Sequence, residues 1–373
     1  MTNSDGYNSV ELFDKRAEHY RKIAEEKRSG KYHYIPFSKS FPMLSKYLPG
    51  IIPGIGFLLL ANSGVGKSKL FRYMFIQVPY EFCKDHPESG LTFKVIANAL
   101  EETPEEIADS LVINRLRIKY NYELTINDLN GFSEEPLTEE VLHRVEVERA
   151  YFADLGKHLV LVNEGNPYGF YRRVREYAEQ NGKFYDNEGN PVEKGGVKYV
   201  PDDTNEIVIC ATDHLWLYGK EGKMSKYETV ANYSSNYCRQ QMNNRFGYTT
   251  VNIQQLESNK EKKEFTVKGA SITEKLEPSL DSIGDIKITQ RDNLIILALF
   301  SPYRYRIPEY RGYNTKIFMN TLRFFFLLKN RRGREGAIIP IFFDGAAETF
   351  TELPLPDDPK LQEYYDKAKL LNA

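Results

Sequence analysis

Apolar and polar positions follow two rhythms along this chain. Residues 9–29 carry Val10, Leu12, Phe13, Ala17, Tyr20 and Ile23 at helical spacing among charged residues, and Gly30 follows. That pattern predicts a charged helix with a glycine stop. An isolated helix cannot bury its stripe, so it either folds onto its own domain or docks as an arm on a neighbouring subunit. Residues 31–55 are irregular and rich in Pro, Ser, Gly and Tyr. From residue 56 onward, strand-length apolar runs alternate with helical patterns. GFLLLANS, LTFKVIANAL, HLVLVNE, NEIVICATDHLWLY and YTTVNIQQ read as strands. TPEEIADSLVINRLRIKY, YGFYRRVREYAEQ and SKYETVANYSSNYCRQQMNNRF read as helices, the first opened by Thr103 as cap and Pro104 at its first position. Such alternation predicts an α/β fold with a mostly parallel central sheet flanked by helices.

Three stretches break the rhythm. Residues 180–205, with the turns DNEGN and EKGG, predict a small surface hairpin inserted in the fold. Residues 257–280 are polar and Lys-rich. Near the end, DNLIILALFS, LRFFFLLKN and GAIIPIFFDG follow one another without helical patterns between them, and the last two face each other across RRGRE as an antiparallel hairpin. The expected organisation is an N-terminal helical arm and linker (1–34), one ATPase-sized α/β domain (35–355) and a tail helix (356–373).

Composition narrows the class. With 41% apolar residues the chain can bury a large core, and 50 basic against 52 acidic residues exclude a uniformly basic nucleic-acid coat. A basic channel or basic loops on a balanced body remain compatible with that charge. Cys83, Cys210 and Cys238 stand apart, with no zinc-like spacing, which suits a reducing compartment. The polar start lacks the apolar core of a signal peptide, and no apolar run reaches membrane-span length. A cytoplasmic protein without a membrane partner is expected.

The strongest motif is Ala61-Asn62-Ser63-Gly64-Val65-Gly66-Lys67-Ser68, set between a strand and a helix. Small residues there let backbone N–H groups close around phosphate oxygens. Lys67 would reach the terminal phosphates of ATP and Ser68 would bind Mg²⁺, with the helix dipole assisting. Ala61 stands where the usual first glycine would be, which a negative φ tolerates. Asp213 ends the apolar run IVICATD, the place of a Mg²⁺-linked carboxylate in such ATPases. Glu101 directly follows FKVIANAL and could activate the attacking water, and Glu102 beside it is an alternative.

Four further segments, in order, resemble the motor domain of DnaB-type replicative helicases, which are RecA-like P-loop ATPases. ALEETPEEIADSL is similar to the family's strand-end segment with the catalytic glutamate, which maps to Glu101. Asp213-His214-Leu215-Trp216-Leu217 resembles its Asp-Tyr-Leu-Gln-Leu, with His214 and Trp216 as departures. Asn252-Ile253-Gln254-Gln255-Leu256 resembles the segment whose glutamine senses the γ-phosphate, mapping to Gln255. Lys329-Asn330-Arg331-Arg332-Gly333-Arg334-Glu335-Gly336 resembles the hairpin whose Lys and Arg enter the neighbouring subunit's ATP site, mapping to Lys329 and Arg331. ITQRDNLIILALF and FFDGAAETFTEL resemble the flanking strand entry and chain end.

The resemblance spans about residues 35–355. It implies a hexameric ring that translocates on single-stranded DNA and separates strands in replication, with a primase or loader as partner. The family's N-terminal partner-binding domain has no counterpart, and the 180–205 insert is additional. Lys260, Lys262, Lys263 and Lys268 are the DNA-contact candidates, set against a solvated loop whose glutamates interleave. A recombinase-like RecA ring and a non-motor nucleotide-binding scaffold are the alternative readings. The abundance of Tyr, Asn and Lys fits a phage-encoded protein acting in a bacterial host's cytoplasm.

Overall fold

The structure is a computed structural model that describes residues 9–193, 196–256, 276–283 and 287–372. Its centre is strand β1 (Gly56–Ala61), every residue of which is buried. Successive side chains point to opposite faces, so Phe57, Leu59 and Ala61 join one core cluster while Leu58 and Leu60 join another. A strand covered on both faces reads as an unbroken apolar run, which is why GFLLLA shows no alternation.

Eight more strands complete the sheet: β2 (Thr92–Asn98), β3 (Leu159–Val162), β4 (Glu206–Thr212), β5 (Thr249–Gln255), β6 (Ile295–Phe300), β7 (Leu322–Asn330), β8 (Ile338–Asp344) and β9 (Thr349–Glu352). Their spatial order is β9-β8-β7-β6-β1-β5-β4-β2-β3. From β3 to β6 all pairings are parallel. The pairings of β6 with β7, β7 with β8 and β8 with β9 are antiparallel. The expected parallel core is present, and so is the hairpin across RRGRE. It belongs to a run of three antiparallel strands, since β9 adds an edge strand that the sequence pattern did not single out.

Helix α1 (Ser9–Arg28) forms as expected, but Phe13 is 72% and Tyr20 61% exposed, so this chain does not cover its apolar stripe. After the glycine turn, α2 (Lys67–Arg72) continues through a π-helical turn (Tyr73–Gln77) into α3 (Val78–Asp85). Helix α4 (Pro104–Tyr120) starts with a full capping box. Thr103 accepts from the Glu106 amide, and the Glu106 carboxylate accepts from the Thr103 amide. Residues 121–157, for which no pattern stood out, hold short helices at Ile126–Leu129, Glu139–Val147 and Arg149–Lys157. A helix at Leu361–Leu371 closes the chain.

Two readings need correction. The run 205–218 is not one strand. It stops at Thr212, because His214 is left-handed (φ 60°) and Leu215–Leu217 form a 3-10 turn. The 180–205 insert is a three-stranded antiparallel sheet rather than a simple hairpin, with Gly182–Tyr185 between Pro191–Val192 and Lys198–Pro201. Its DNEGN turn is tied by Asp186, whose Oδ1 accepts from the amides of Glu188 and Asn190. Among the described residues, no helix is long and apolar enough to cross a membrane.

Leu59 is 1% exposed between Ile253 of β5 and Leu297 of β6. Leu59→Ala is expected to cost about 2–5 kcal/mol of stability, read as a shift of the urea midpoint at unchanged slope.

Candidate functional site

The parallel register brings the carboxyl ends of four strands to one edge. Asn98 of β2 and Asn252 of β5 both lie opposite Thr212 of β4, and Gln255 of β5 lies opposite Ala61 of β1. The chain leaves each strand near this edge, so Glu101, Asp213, Gln255 and the glycine turn after Ala61 gather there, as ligand sites do in open parallel sheets.

The turn itself is shaped by glycine. Gly64 (φ 72°) and Gly66 (φ 108°) occupy left-handed conformations that side chains disfavour. A Cβ on Gly66 would also stand 3.2 Å from the Phe343 ring. Ala61 ends β1 outside the left-handed region, so its methyl group is accommodated. Three side chains from residues 304–323 hold the turn from behind, and sequence reasoning missed all of them. Arg304 donates to the Ser63 carbonyl at 2.7 Å, Asn62 donates to the Tyr305 hydroxyl at 2.7 Å, and Arg323 Nε donates to the Val65 carbonyl at 2.9 Å. Nothing in the local pattern of 301–323 marks these residues, because the contact spans more than 240 positions of chain.

Lys67 and Ser68 open α2 at the turn. Lys67 is 8% exposed, and its ammonium makes one long bond, 3.4 Å to the Asn62 carbonyl. Burial pulls its pKa down, opposed by the negative charges of Glu101 and Asp213. Ser68 Oγ donates to Asp213 Oδ2 at 3.0 Å. Asp213 is held by its own amide, which donates to the Asn98 carbonyl. Its second oxygen, Oδ1, is buried with no hydrogen-bond partner. Burial raises its pKa to about 6, with Glu102 and Glu101 adding to the effect.

The two neighbouring glutamates separate cleanly. Glu102 is tied back, accepting from Arg72 at 2.5 Å. Glu101 is 44% exposed, and its Oε2 lies 3.6 Å from His214 Nδ1. Gln254 is used internally, donating to the Ile283 carbonyl and accepting from Thr289, while Gln255 stays at the strand end beside Ala61.

Lys329 and Arg331 are not brought to this turn. The Lys329 ammonium donates to the carbonyls of Gln290 (2.5 Å), Arg291 (3.3 Å) and Asn293 (2.6 Å), at the end of the helix Lys287–Asp292. The Arg331 amide donates to the Leu294 carbonyl, and the Leu294 amide donates to Gly56 at the opposite end of β1. A six-residue strand spans roughly 20 Å, so the hairpin lies about that far from its own chain's glycine turn. Lys260, Lys262, Lys263 and Lys268 lie outside the described residues.

The residues fit a nucleotide with magnesium. Among the described residues no group of three or more His, Cys, Asp or Glu side chains forms a metal cage. Magnesium at such a site needs less from the protein, because phosphate and water supply most of its ligands. A hydroxyl on a carboxylate with one orphaned oxygen is a suitable donor set.

No family model matches the sequence, and no curated protein matches it. Solved structures do. The chain is similar to a helicase ATPase domain, with a TM-score of 0.62 and 13% identity over 91% of this chain and 98% of that one. It is also similar to a DnaB-like replicative helicase described with its interactions with primase, with a TM-score of 0.59 and 13% identity over 89% of this chain and 67% of that one. The fold is therefore that of DnaB-like, RecA-type ATPase domains.

Two outcomes follow from the geometry. Gly66→Ala is expected to abolish measurable binding of a fluorescent ATP analogue while the protein stays folded by circular dichroism; undiminished binding would contradict the role given to this turn. Asp213 has a folded-state pKa above its unfolded one, so burying its carboxylate lowers stability above about pH 6, and this cost vanishes below about pH 4. Asp213→Asn should thus stabilise the nucleotide-free chain by about 3 kcal/mol at pH 7 and by almost nothing at pH 4, read from urea unfolding at each pH.

Proposed function

We propose that this chain is an ATP-hydrolysing motor of the ring-forming helicase kind, moving on single-stranded DNA and separating strands in replication. The observation that carries this reading is the Ser68–Asp213 contact at the mouth of the glycine turn, with Glu101 alone left facing it. The fold shared with the solved ATPase domain and with the DnaB-like helicase supports the motor class.

In this reading the backbone amides from Gly64 to Ser68 and the Lys67 ammonium hold the β- and γ-phosphates. A bound Mg²⁺, held by Ser68 and oriented through Asp213, would neutralise charge developing on the phosphoryl oxygens. Glu101 accepts a proton from the attacking water while the bond to the leaving oxygen breaks. The scarcity of partners around the Lys67 ammonium suits a group that waits for an anion. Gln255, opposite Ala61, is placed to report the state of the phosphates along β5 toward residues 257–275.

Completion of the site in trans follows from distance. Arg331 is exposed and lies about a strand's length from its own turn, so only another copy can present it to the phosphates. A closed ring, hexameric by resemblance, supplies such a copy at every site. Lys329 serves here as the cap of the helix Lys287–Asp292, and its contribution to a neighbour's site would run through the shape of the hairpin. The exposed stripe of α1 suits the arm reading, with a neighbouring subunit as its cover. The DnaB-like structure suggests a primase as partner, and the family resemblance adds a loader.

The test is ATP hydrolysis across protein concentration, with and without single-stranded DNA. The rate per chain should climb with concentration and rise again with DNA. Lys67→Ala should remove it, and Arg331→Ala should remove it while leaving nucleotide binding intact. A folded wild-type chain that stays at background with and without DNA would sink the motor reading and favour a nucleotide-binding scaffold.

A further inference from the structure

Behind the glycine turn lies a buried ionic cluster that the site described above does not use. Arg72 stands four residues after Ser68, on the same face of α2. Its side chain is 2% exposed. Nε and Nη2 each donate at 2.8 Å to one oxygen of Glu348, a two-pronged pairing, and Nη1 donates at 2.5 Å to Glu102. Glu348 is itself buried, and its backbone is left-handed (φ 50°), a conformation that non-glycine residues rarely adopt. Lys69 approaches Glu348 at 3.7 Å, so two cations face two anions.

The cluster ties three segments together. The turn at Asp344–Glu348 joins β8 to β9, and Lys69 donates to its Gly345 carbonyl at 2.7 Å. Asp344 Oδ1 accepts from the amides of Ala346 and Ala347, which shapes the turn. Asn114 of α4 donates to the Ala347 carbonyl. The turn thus braces α2 against α4 and the segment carrying both glutamates. Breaking one partner of a buried pair leaves an uncompensated charge, so such a cluster holds its geometry firmly.

Resting on the reading of the site as an ATP hydrolysis centre, we infer that Arg72 is a positioning residue: by holding Glu102 against Glu348, it leaves Glu101 as the single glutamate facing the reacting water. Two adjacent carboxylates follow β2, and only one can serve as base. Both lie close enough to Asp213 to act on its charge, and Glu102 acts more strongly than Glu101. With Glu102 freed from its cation, a second unneutralised carboxylate would stand beside Asp213 and disturb the electrostatics of the phosphoryl site. Arg72 therefore sets both the identity of the base and the charge around the metal carboxylate, without touching substrate.

The decisive experiment compares four proteins by steady-state hydrolysis, nucleotide binding and thermal melting. Arg72→Lys keeps the charge but cannot span both glutamates, and should lower kcat at least tenfold while KM moves less than threefold. The pair Arg72→Met with Glu348→Met removes the buried charges together, preserves volume, and should melt near the wild type with a similar loss of kcat. Adding Glu102→Ala to that pair should return kcat at least threefold, because the released carboxylate is gone. A purely structural role would not produce that recovery. A folded pair with wild-type kcat, or a triple variant no faster than the pair, overturns the inference. Should the pair fail to fold, an unchanged kcat in Arg72→Lys overturns it equally. A wild type that hydrolyses nothing removes the hydrolysis reading itself, whereas an active wild type with indifferent variants removes only the role of Arg72.

Discussion

The parallel register from β3 to β6 is the constraint on which the rest of this structure depends. Parallel strands place all their carboxyl ends on one side, and the loops leaving them share one edge. With Asn98 and Asn252 both opposite Thr212, and Gln255 opposite Ala61, a shift of one residue in any strand would turn its side chains to the other face. Burial on both faces forbids that slip, since Phe57, Leu59 and Ala61 belong to one core and Leu58 and Leu60 to another. The core thus fixes the distances between the Lys67 turn, Glu101, Asp213 and Gln255, although none of the four is part of it.

Charge is arranged around that edge with unusual asymmetry. Arg323 is 1% exposed, and all its hydrogen bonds within the described residues go to uncharged oxygens: the carbonyls of Val65, Asn320 and Leu322, the Asn320 side chain and Ser301. Burial lowers its pKa to about 9, and the Phe343 ring lies 4.9 Å from its guanidinium carbon. Beside it, Lys67 has one long bond to a carbonyl. Two buried cations without matching acids next to a ring of backbone amides are costly in the free protein and favourable once a polyanion arrives. On the opposite side Asp213 carries the reverse imbalance, a buried carboxylate with an orphaned oxygen. The two halves await ligands of opposite sign, which is the electrostatic description of a nucleotide and a divalent cation bound together.

The antiparallel end of the sheet has a different task. Strand β7 runs from Arg323, which grips the glycine turn, to Lys329 and the hairpin at the far end. One rigid strand therefore joins this chain's phosphate turn to the element that would face a neighbour's. Antiparallel pairing on both sides of β7 leaves that connection little freedom.

Much of this was legible along the chain. Unbroken apolar runs marked buried parallel strands, Thr103 and Pro104 marked the start of α4, and the glycine pattern after GFLLLA marked the phosphate turn; each rests on contacts a few residues long. The choice between Glu101 and Glu102 was not legible, because it is made by Arg72 and Glu348, the latter almost 250 positions away. Nor was the grip of Arg304, Tyr305 and Arg323 on the turn, or the end of β4 at Thr212, where His214 adopts a left-handed backbone that a histidine does not announce. Residues 121–157 hid their helices, since Val141 and Leu155 are almost their only buried apolar positions. The sequence by itself determined the order of elements and the chemical groups available, because local backbone preference and hydrophobic periodicity are written in neighbouring residues. Only the tertiary structure decided which of those groups face one another, because a buried ion pair or a carbonyl contact is formed by parts of the chain that sequence spacing does not relate.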